Sequence, residues 1–154
     1  TDYRAIGIIS LCLPNAKIIQ VDRNAMDVCF GCYRQLFNEN WKFTYDFDEL
    51  AAAYASYQTT MSHWEKLFPS FLMRVSYEEL IKNFDKSVSD ILSFCGLEHE
   101  VACLNPHENQ RVITTLSATQ VRQPIFRSGI NRWRVYEEHL TPLQKALTNH
   151  GFNY

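Results

Sequence analysis

One arginine stands between an apolar run and a helical pattern in residues 14–35, P-N-A-K-I-I-Q-V-D-R-N-A-M-D-V-C-F-G-C-Y-R-Q. The run over residues 16–21 is broken only by Lys17 and Gln20. Its β-branched residues lack strict alternation, which predicts a buried strand of the parallel kind. Asp22-Arg23-Asn24 then punctuates the chain, and from Ala25 the apolar residues Met26, Val28, Cys29, Phe30, Cys32, Tyr33 and Leu36 set a helical pattern. Asn24 suits the N-cap, with Asp27 in the first turn. A strand, a polar turn and a helix start is where α/β proteins place ligands, outside the carboxyl end of the strand. Free N–H groups at such a helix start attract an anion. Arg23 adds a fixed charge whose forked donors match phosphate.

A second group of candidates lies over residues 111–133, with Arg111, Arg122, Arg127 and Arg132, and with Ser117, Ser128 and Gly129 among them. A Ser-Gly turn flanked by arginines suits an anion nest; the same arginines also suit a salt-bridged face against Glu137 and Glu138. Cys29 and Cys32 spell C-x-x-C, a spacing open to redox chemistry. Helical spacing also puts both on one apolar face, which reads as packing. A zinc site needs a second pair, and no further C-x-x-C or H-x-x-x-H occurs. His99 and His107 fall among Glu98, Glu100 and Glu108 in a polar stretch broken by Pro106, which reads as a solvated loop. No metal is expected.

The segment A-K-I-I-x-V-x-R-N-x-x-D-V-x-x-x-x-Y, residues 16–33, resembles the 3′-phosphate-binding segment of sulfotransferases that use 3′-phosphoadenosine 5′-phosphosulfate (PAPS). The rest of the chain resembles the bacterial branch often fused to tetratricopeptide repeats and, more distantly, the tyrosylprotein sulfotransferases. The resemblance implies that Arg23 binds the 3′-phosphate. A serine eight residues on shares that task in the family. Gly31 stands there in this chain, so the contact must come from elsewhere. By its residues alone Tyr77 reads as a tyrosine packed at a helix start; the resemblance reverses that, because Tyr77-Glu78-Glu79-Leu80 matches the family's Y-E-x-L, which implies an adenine contact for Tyr77. Arg127-Ser128-Gly129 resembles the R-x-G that loops over the 3′-phosphate. Q-V-R-Q-P and a basic residue before Trp133 look more like the tyrosylprotein branch, which adds Arg132 and Ser117 to the implied nucleotide contacts.

By the same resemblance the fold is α/β, a P-loop-like three-layer α/β/α arrangement with a parallel sheet, present in part. The 5′-phosphosulfate loop, of the type P-x-S/T-G-T/S-x-L, occurs nowhere in the sequence. The family's general base sits upstream of the matching segment, so no catalytic residue is expected here. Residues 1–154 are therefore expected to be the C-terminal part of a single sulfotransferase domain, with the first strand and phosphosulfate loop in the part before Thr1. They would carry the 3′-phosphate and adenine half of a PAPS site. The acceptor is a hydroxyl on a small molecule, a glycan or a protein, with tetratricopeptide repeats a possible neighbour in the parent chain. The alternative is a non-catalytic nucleotide-binding or interaction module that keeps the fold.

The elements that must position these residues follow from pattern. The 154 residues suffice for one domain with a core, and 46% hydrophobic with 21% charged content is ordinary for a globular chain. A net charge of −2 gives no basic field for nucleic acid, so local arginines must meet any phosphate. No apolar run approaches the roughly 20 residues that span a bilayer. Five cysteines in apolar segments read as reduced thiols and a cytoplasmic setting. A short helix is expected over residues 5–13, ended by Pro14. Residues 38–47 fit no period, and Trp41, Phe43 and Tyr45 there are either a lid or loop packing. A long amphipathic helix starts at Asp46 or Asp48 and runs to Leu67 on the stripe Leu50, Ala53, Tyr54, Tyr57, Met61, Trp64; His63 lies on it as a surface or packed residue. A second strand covers 71–76, a helix 85–96 stops at Gly96, and a closing helix over 133–147 breaks at Thr141-Pro142. Residues 149–154 read as tail.

Overall fold

Two parallel strands carry the site. The computed structural model describes residues 2–37, 39–108 and 129–153. β1, Ile18–Asp22, pairs with β2, Leu72–Ser76, from Ile18 opposite Leu72 to Asp22 opposite Ser76. Between them run α2, Ala25–Tyr33, a 3-10 stretch Glu39–Tyr45, and α3, Phe47–Leu67. Neighbouring parallel strands require a long crossover of this kind. The architecture is α/β, as expected, and among the described residues its sheet has two strands. Ahead of β1 lies α1, Ile6–Cys12. After β2 come α4, Tyr77–Lys82, and α5, Phe84–Cys95, closed by Gly96 at φ 68°, a left-handed cap that glycine adopts without strain. A 3-10 stretch, Arg132–His139, leads into α6, Thr141–Asn149.

The helix starts are written in side chains. Asn24 Oδ1 accepts from the Asp27 N–H at 3.3 Å, Asp46 Oδ1 from those of Asp48 and Glu49 at 2.9 Å, and Ser76 Oγ from that of Glu79 at 3.2 Å. Each such cap contributes about 1 kcal/mol. α3 is shared by two clusters. Its first half, with Leu50, Ala51 and Tyr54, packs with Met26, Cys29, Trp133, Leu143 and Leu147. Its second half places Met61 with Ile6, Phe71 and Leu72.

Four expectations need correction. β1 is not buried on both faces: Gln20 is covered, its Nε2 donating to the Tyr57 hydroxyl of α3 at 3.0 Å, whereas Ile19 and Val21 are 38% and 54% exposed. Strand alternation sends these two to the opposite face, which stays half open among the described residues. Residues 39–45 are a 3-10 stretch and not an unstructured loop; Trp41 interrupts it at φ −120°, ψ 28°, and buried Thr44 donates to the Trp41 carbonyl at 2.8 Å. The closing helix breaks at Thr141-Pro142 as expected, since Pro142 lacks an N–H and starts a new helix better than it continues one, but its first piece, Arg132–His139, is a 3-10 stretch and not a regular helix. The tail is anchored by Phe152, whose ring meets Tyr54 edge-on with centroids 5.0 Å apart.

Candidate functional site

Arg23 directly follows β1 and precedes the cap of α2, so its backbone leaves the sheet at the strand's carboxyl end. Its guanidinium meets three different groups. Nη2 donates to the Gly129 carbonyl, the same nitrogen lies 3.5 Å from Asp27 Oδ2, and Cζ stands 4.9 Å from the centroid of the Tyr77 ring. The side chain is 30% exposed. Nε is buried and has no hydrogen-bond partner among the described residues. A delocalised cation over a ring face is attracted by the ring's quadrupole. The spare N–H is a donor that an incoming anion can use.

Glu78 ties the two strand ends together. Its Oε1 accepts from the Asn24 N–H at 2.9 Å and its Oε2 from the Ser76 hydroxyl at 3.0 Å. The turn after β1 and the turn after β2 are thereby held side by side, which is what brings Tyr77 over Arg23. Asp27 makes the third tie. It is 3% exposed, and its two oxygens accept from the backbone N–H groups of Asn131 at 2.7 Å and Trp133 at 3.2 Å. Asn131 adopts a left-handed conformation, φ 56°, that turns the chain into this contact.

Gly129 is required by closeness. A Cβ built there would stand 2.6 Å from the Tyr77 hydroxyl, well inside van der Waals contact. Gly129→Ala is therefore expected to push Tyr77 off Arg23 and to destabilise the protein by about 1–3 kcal/mol. Tyr77→Phe removes the clashing atom, so the double variant should recover most of that loss in urea unfolding. Equal losses in the presence and absence of the hydroxyl would contradict the contact.

Of the residues predicted from sequence, Arg23, Tyr77 and Gly129 meet at one point. Gly31 lies further along α2, exposed, with nothing within 4 Å of a built Cβ. Arg132 is exposed on the 3-10 stretch. Ser117, Arg127 and Ser128, with Arg111 and Arg122, fall outside the described residues. Asp27 and Glu78 were not singled out as site residues, though each sits inside a quoted motif, D-V and Y-E-x-L respectively.

Behind the turn lies a polar seam against α3. The Tyr54 hydroxyl donates to the Arg23 carbonyl at 3.4 Å, and Gln58 Nε2 donates to the Tyr54 hydroxyl at 2.8 Å and to Asp22 Oδ1 at 2.9 Å. Arg74 of β2 lies 3.7 Å from Asp22 and 3.6 Å from Glu65. Burial pushes the Tyr54 phenol up to about 12, against the Gln58 hydrogen bond that lowers it and with the Asp22 charge that raises it. Burial, and then neighbouring Cys32, pushes the Cys29 thiol up to about 12. Cys29 is fully buried and Cys32 partly so, and burial raises both thiols, which accords with packing as the role of the C-x-x-C. Tyr54 and Cys29 both have folded values above their ordinary ones. The stability they lend is complete below about pH 9 and is lost as pH rises toward 12. The urea midpoint should fall across that window, less steeply in Cys29→Ala; a flat profile would refute the burial of both groups.

Among the described residues no cluster of three or more His, Cys, Asp or Glu could hold a metal, and no helix is long and apolar enough to cross a membrane. Residues 1–101, which contain Arg23, Gly31 and Tyr77, match the family model described as "Sulfotransferase family". An uncharacterized protein of Aquifex aeolicus (strain VF5) is 34% identical over 149 residues, which cover 95% of this chain and 19% of that protein. The chain thus spans about a fifth of that relative's length. The strand–arginine–helix turn and the tyrosine packed across from it both lie within the matched residues, and the chain belongs to the sulfotransferase family.

Proposed function

We propose that this chain is the C-terminal part of a sulfotransferase domain and forms the 3′-phosphate and adenine side of its PAPS site. One observation carries the reading: the Arg23 guanidinium sits at the carboxyl end of β1, positioned by Asp27 and Gly129, with the Tyr77 ring over it and a buried Nε left over. These residues fit the group. An arginine with an unused donor suits a phosphate, a ring beside it suits a purine face, and the glycine keeps the intervening space free of a Cβ. Gly31 offers no hydroxyl, so Ser117, Arg127, Ser128 and Arg132 are assigned the remaining nucleotide contacts.

The parent reaction is R–OH + PAPS → R–OSO₃⁻ + adenosine 3′,5′-bisphosphate + H⁺. The acceptor oxygen bonds to sulfur, the bond from sulfur to the 5′-phosphate oxygen breaks, and the acceptor proton passes to a base. That base and the 5′-phosphosulfate loop are assigned to sequence before Thr1, so residues 1–154 alone are expected not to turn over. The half-open face of β1, with Ile19 and Val21, supports a further layer packed over it, and a sheet of two strands among the described residues supports further strands at its edges. Free thiols at all five cysteines accord with a cytoplasmic setting. Tetratricopeptide repeats belong to the reading as neighbours in the parent chain.

A second reading, a nucleotide-binding module without turnover, is favoured by Gly31 in place of the family's serine. Titration of adenosine 3′,5′-bisphosphate beside adenosine 5′-phosphate tests the site itself. Preference for the bisphosphate supports it, and equal binding of the two overturns it. Sulfate transfer from PAPS by the full-length protein then separates enzyme from module.

A further inference from the structure

The peptide unit between Arg23 and Asn24 is held at both ends. Its N–H, on Asn24, donates to Glu78 Oε1 of α4 at 2.9 Å, and its carbonyl, on Arg23, accepts from the Tyr54 hydroxyl of α3 at 3.4 Å. The second bond is long for a hydroxyl donor, so whatever aims that hydroxyl matters. Gln58 aims it. It follows Tyr54 by one turn, on the same face of α3. Its Nε2 directs one proton to the Tyr54 oxygen at 2.8 Å and the other to Asp22 Oδ1 at 2.9 Å. A carboxylate only accepts and a guanidinium only donates. Asp22 on one side, and Arg74 Nη2 at 3.4 Å from Gln58 Oε1 on the other, therefore admit a single orientation of the amide. The Tyr54 oxygen receives a Gln58 proton, which leaves the hydroxyl's own proton for the Arg23 carbonyl. Tyr54 is 8% exposed, so water has little access to either bond.

We propose that Gln58 is a positioning residue for the phosphate arginine. It fixes residues 22 and 23 from the α3 side, directly through Asp22 and by way of Tyr54 onto the Arg23 carbonyl, and so sets where the Arg23 guanidinium points. The consequence for nucleotide selectivity rests on the PAPS reading, whereas the relay itself rests on geometry. Rotation about the bond from the Arg23 Cα to its carbonyl carbon turns the side chain against the peptide unit that Tyr54 and Glu78 hold. A guanidinium that must meet a phosphate with aligned donors is sensitive to such a turn. Glu78 acts on the N–H alone; Gln58 supplies the opposite side of the grip. Arg74 keeps the amide from flipping, and is itself kept in place by Asp22 at 3.7 Å and Glu65 at 3.6 Å. A seam that only glued α3 to the sheet would lower stability when cut and leave the selectivity of the site alone.

The test uses the full-length protein and two readouts. The first needs no nucleotide. Arg23-Asn24 is the one Arg-Asn step in these 154 residues, so ¹³C′-arginine with ¹⁵N-asparagine labelling isolates its peptide unit by NMR, assigned by its loss in Asn24→Asp. Tyr54→Phe and Gln58→Leu should move this signal in the same direction, and the double variant should move it no further than Gln58→Leu alone. The second readout is the ratio of adenosine 3′,5′-bisphosphate to adenosine 5′-phosphate affinity. It should fall about threefold in Tyr54→Phe and about fivefold or more in Gln58→Leu, again without a further fall in the double variant. Gln58→Glu keeps the size of the side chain and serves should the leucine variant fail to fold. Its carboxylate accepts the Tyr54 proton that the Arg23 carbonyl needs, so it should do at least as much harm to the ratio. An unmoved signal, additive losses in the double variant, or equal weakening of both nucleotides in the Gln58 variants overturns the inference, even where the melting temperature falls. A wild-type protein without preference for the bisphosphate, whose signal still moves as expected, would instead remove the PAPS reading and keep Gln58 as the residue that holds the Arg23 turn.

Discussion

Asp27→Ala should lower the unfolding free energy by about 3–5 kcal/mol, the scale of breaking a buried ion pair from one side. Domains are stable by only about 5–15 kcal/mol, so the variant should lose much of its resistance to urea. The cause is the number of donors aimed at one carboxylate. Asp27 is 3% exposed and serves the Asn131 N–H, the Trp133 N–H and the Arg23 guanidinium together. Alanine leaves the buried Trp133 amide and the part-buried Asn131 amide without an acceptor, and a part-buried cation without a countercharge. Asp27→Asn is the sharper variant. An amide keeps one acceptor oxygen but turns its NH₂ toward a second donor, so it should recover only part of the loss. Urea titration of the three proteins reads this directly. A change within about 0.5 kcal/mol for Asp27→Ala would place the residue among ordinary surface charges and contradict its place at the joint.

The same residue shows what the sequence discloses and what it hides. Asp27 is legible as an acid in the first turn of a helix, and that local reading is right. Its larger role depends on amides at residues 131 and 133, and nothing near position 27 announces them. Elements set by local chemistry were legible in the same way. The apolar run into Arg23 gave β1, Asn24 and Asp46 marked the starts of α2 and α3, and Gly96 marked the end of α5. The 3-10 stretches were not, because Trp41 and Tyr136 leave helical dihedrals inside them and erase any period. Gly129 was drawn from a motif, yet its physical reason is the hydroxyl of Tyr77, far away in sequence. The aromatic packing of residues 39–45 was visible in part: Trp41 and Phe43 stood out as aromatics in a segment without a pattern. Only the fold sets them opposite Tyr54 and Tyr57.

Arg23→Ala should weaken adenosine 3′,5′-bisphosphate by tenfold or more and leave adenosine 5′-phosphate almost unchanged. A 3′-phosphate carries close to two charges, and a chain of net charge −2 offers it no general field. Local charge-assisted bonds, each about 1.5–3 kcal/mol, must supply the affinity, and about 1.4 kcal/mol is already a factor of ten. Arg23 has the donors for this: a buried Nε without a partner among the described residues, and an Nη2 now spent on the Gly129 carbonyl. Arg23→Lys separates charge from shape. An ammonium keeps the charge but loses the planar fork and its stacking on Tyr77, so it should recover only part of the affinity. Gly31→Ser adds the hydroxyl that the family places eight residues on. Nothing within 4 Å opposes the new Cβ, so the substitution is tolerated, and a modest gain for the bisphosphate alone is expected. Calorimetric titration of both nucleotides against the four proteins decides the matter. If Arg23→Ala weakens both nucleotides equally, the arginine holds the turn together through Asp27 and Gly129 and does not read the 3′-phosphate; if only the bisphosphate suffers, the guanidinium is the group that distinguishes them.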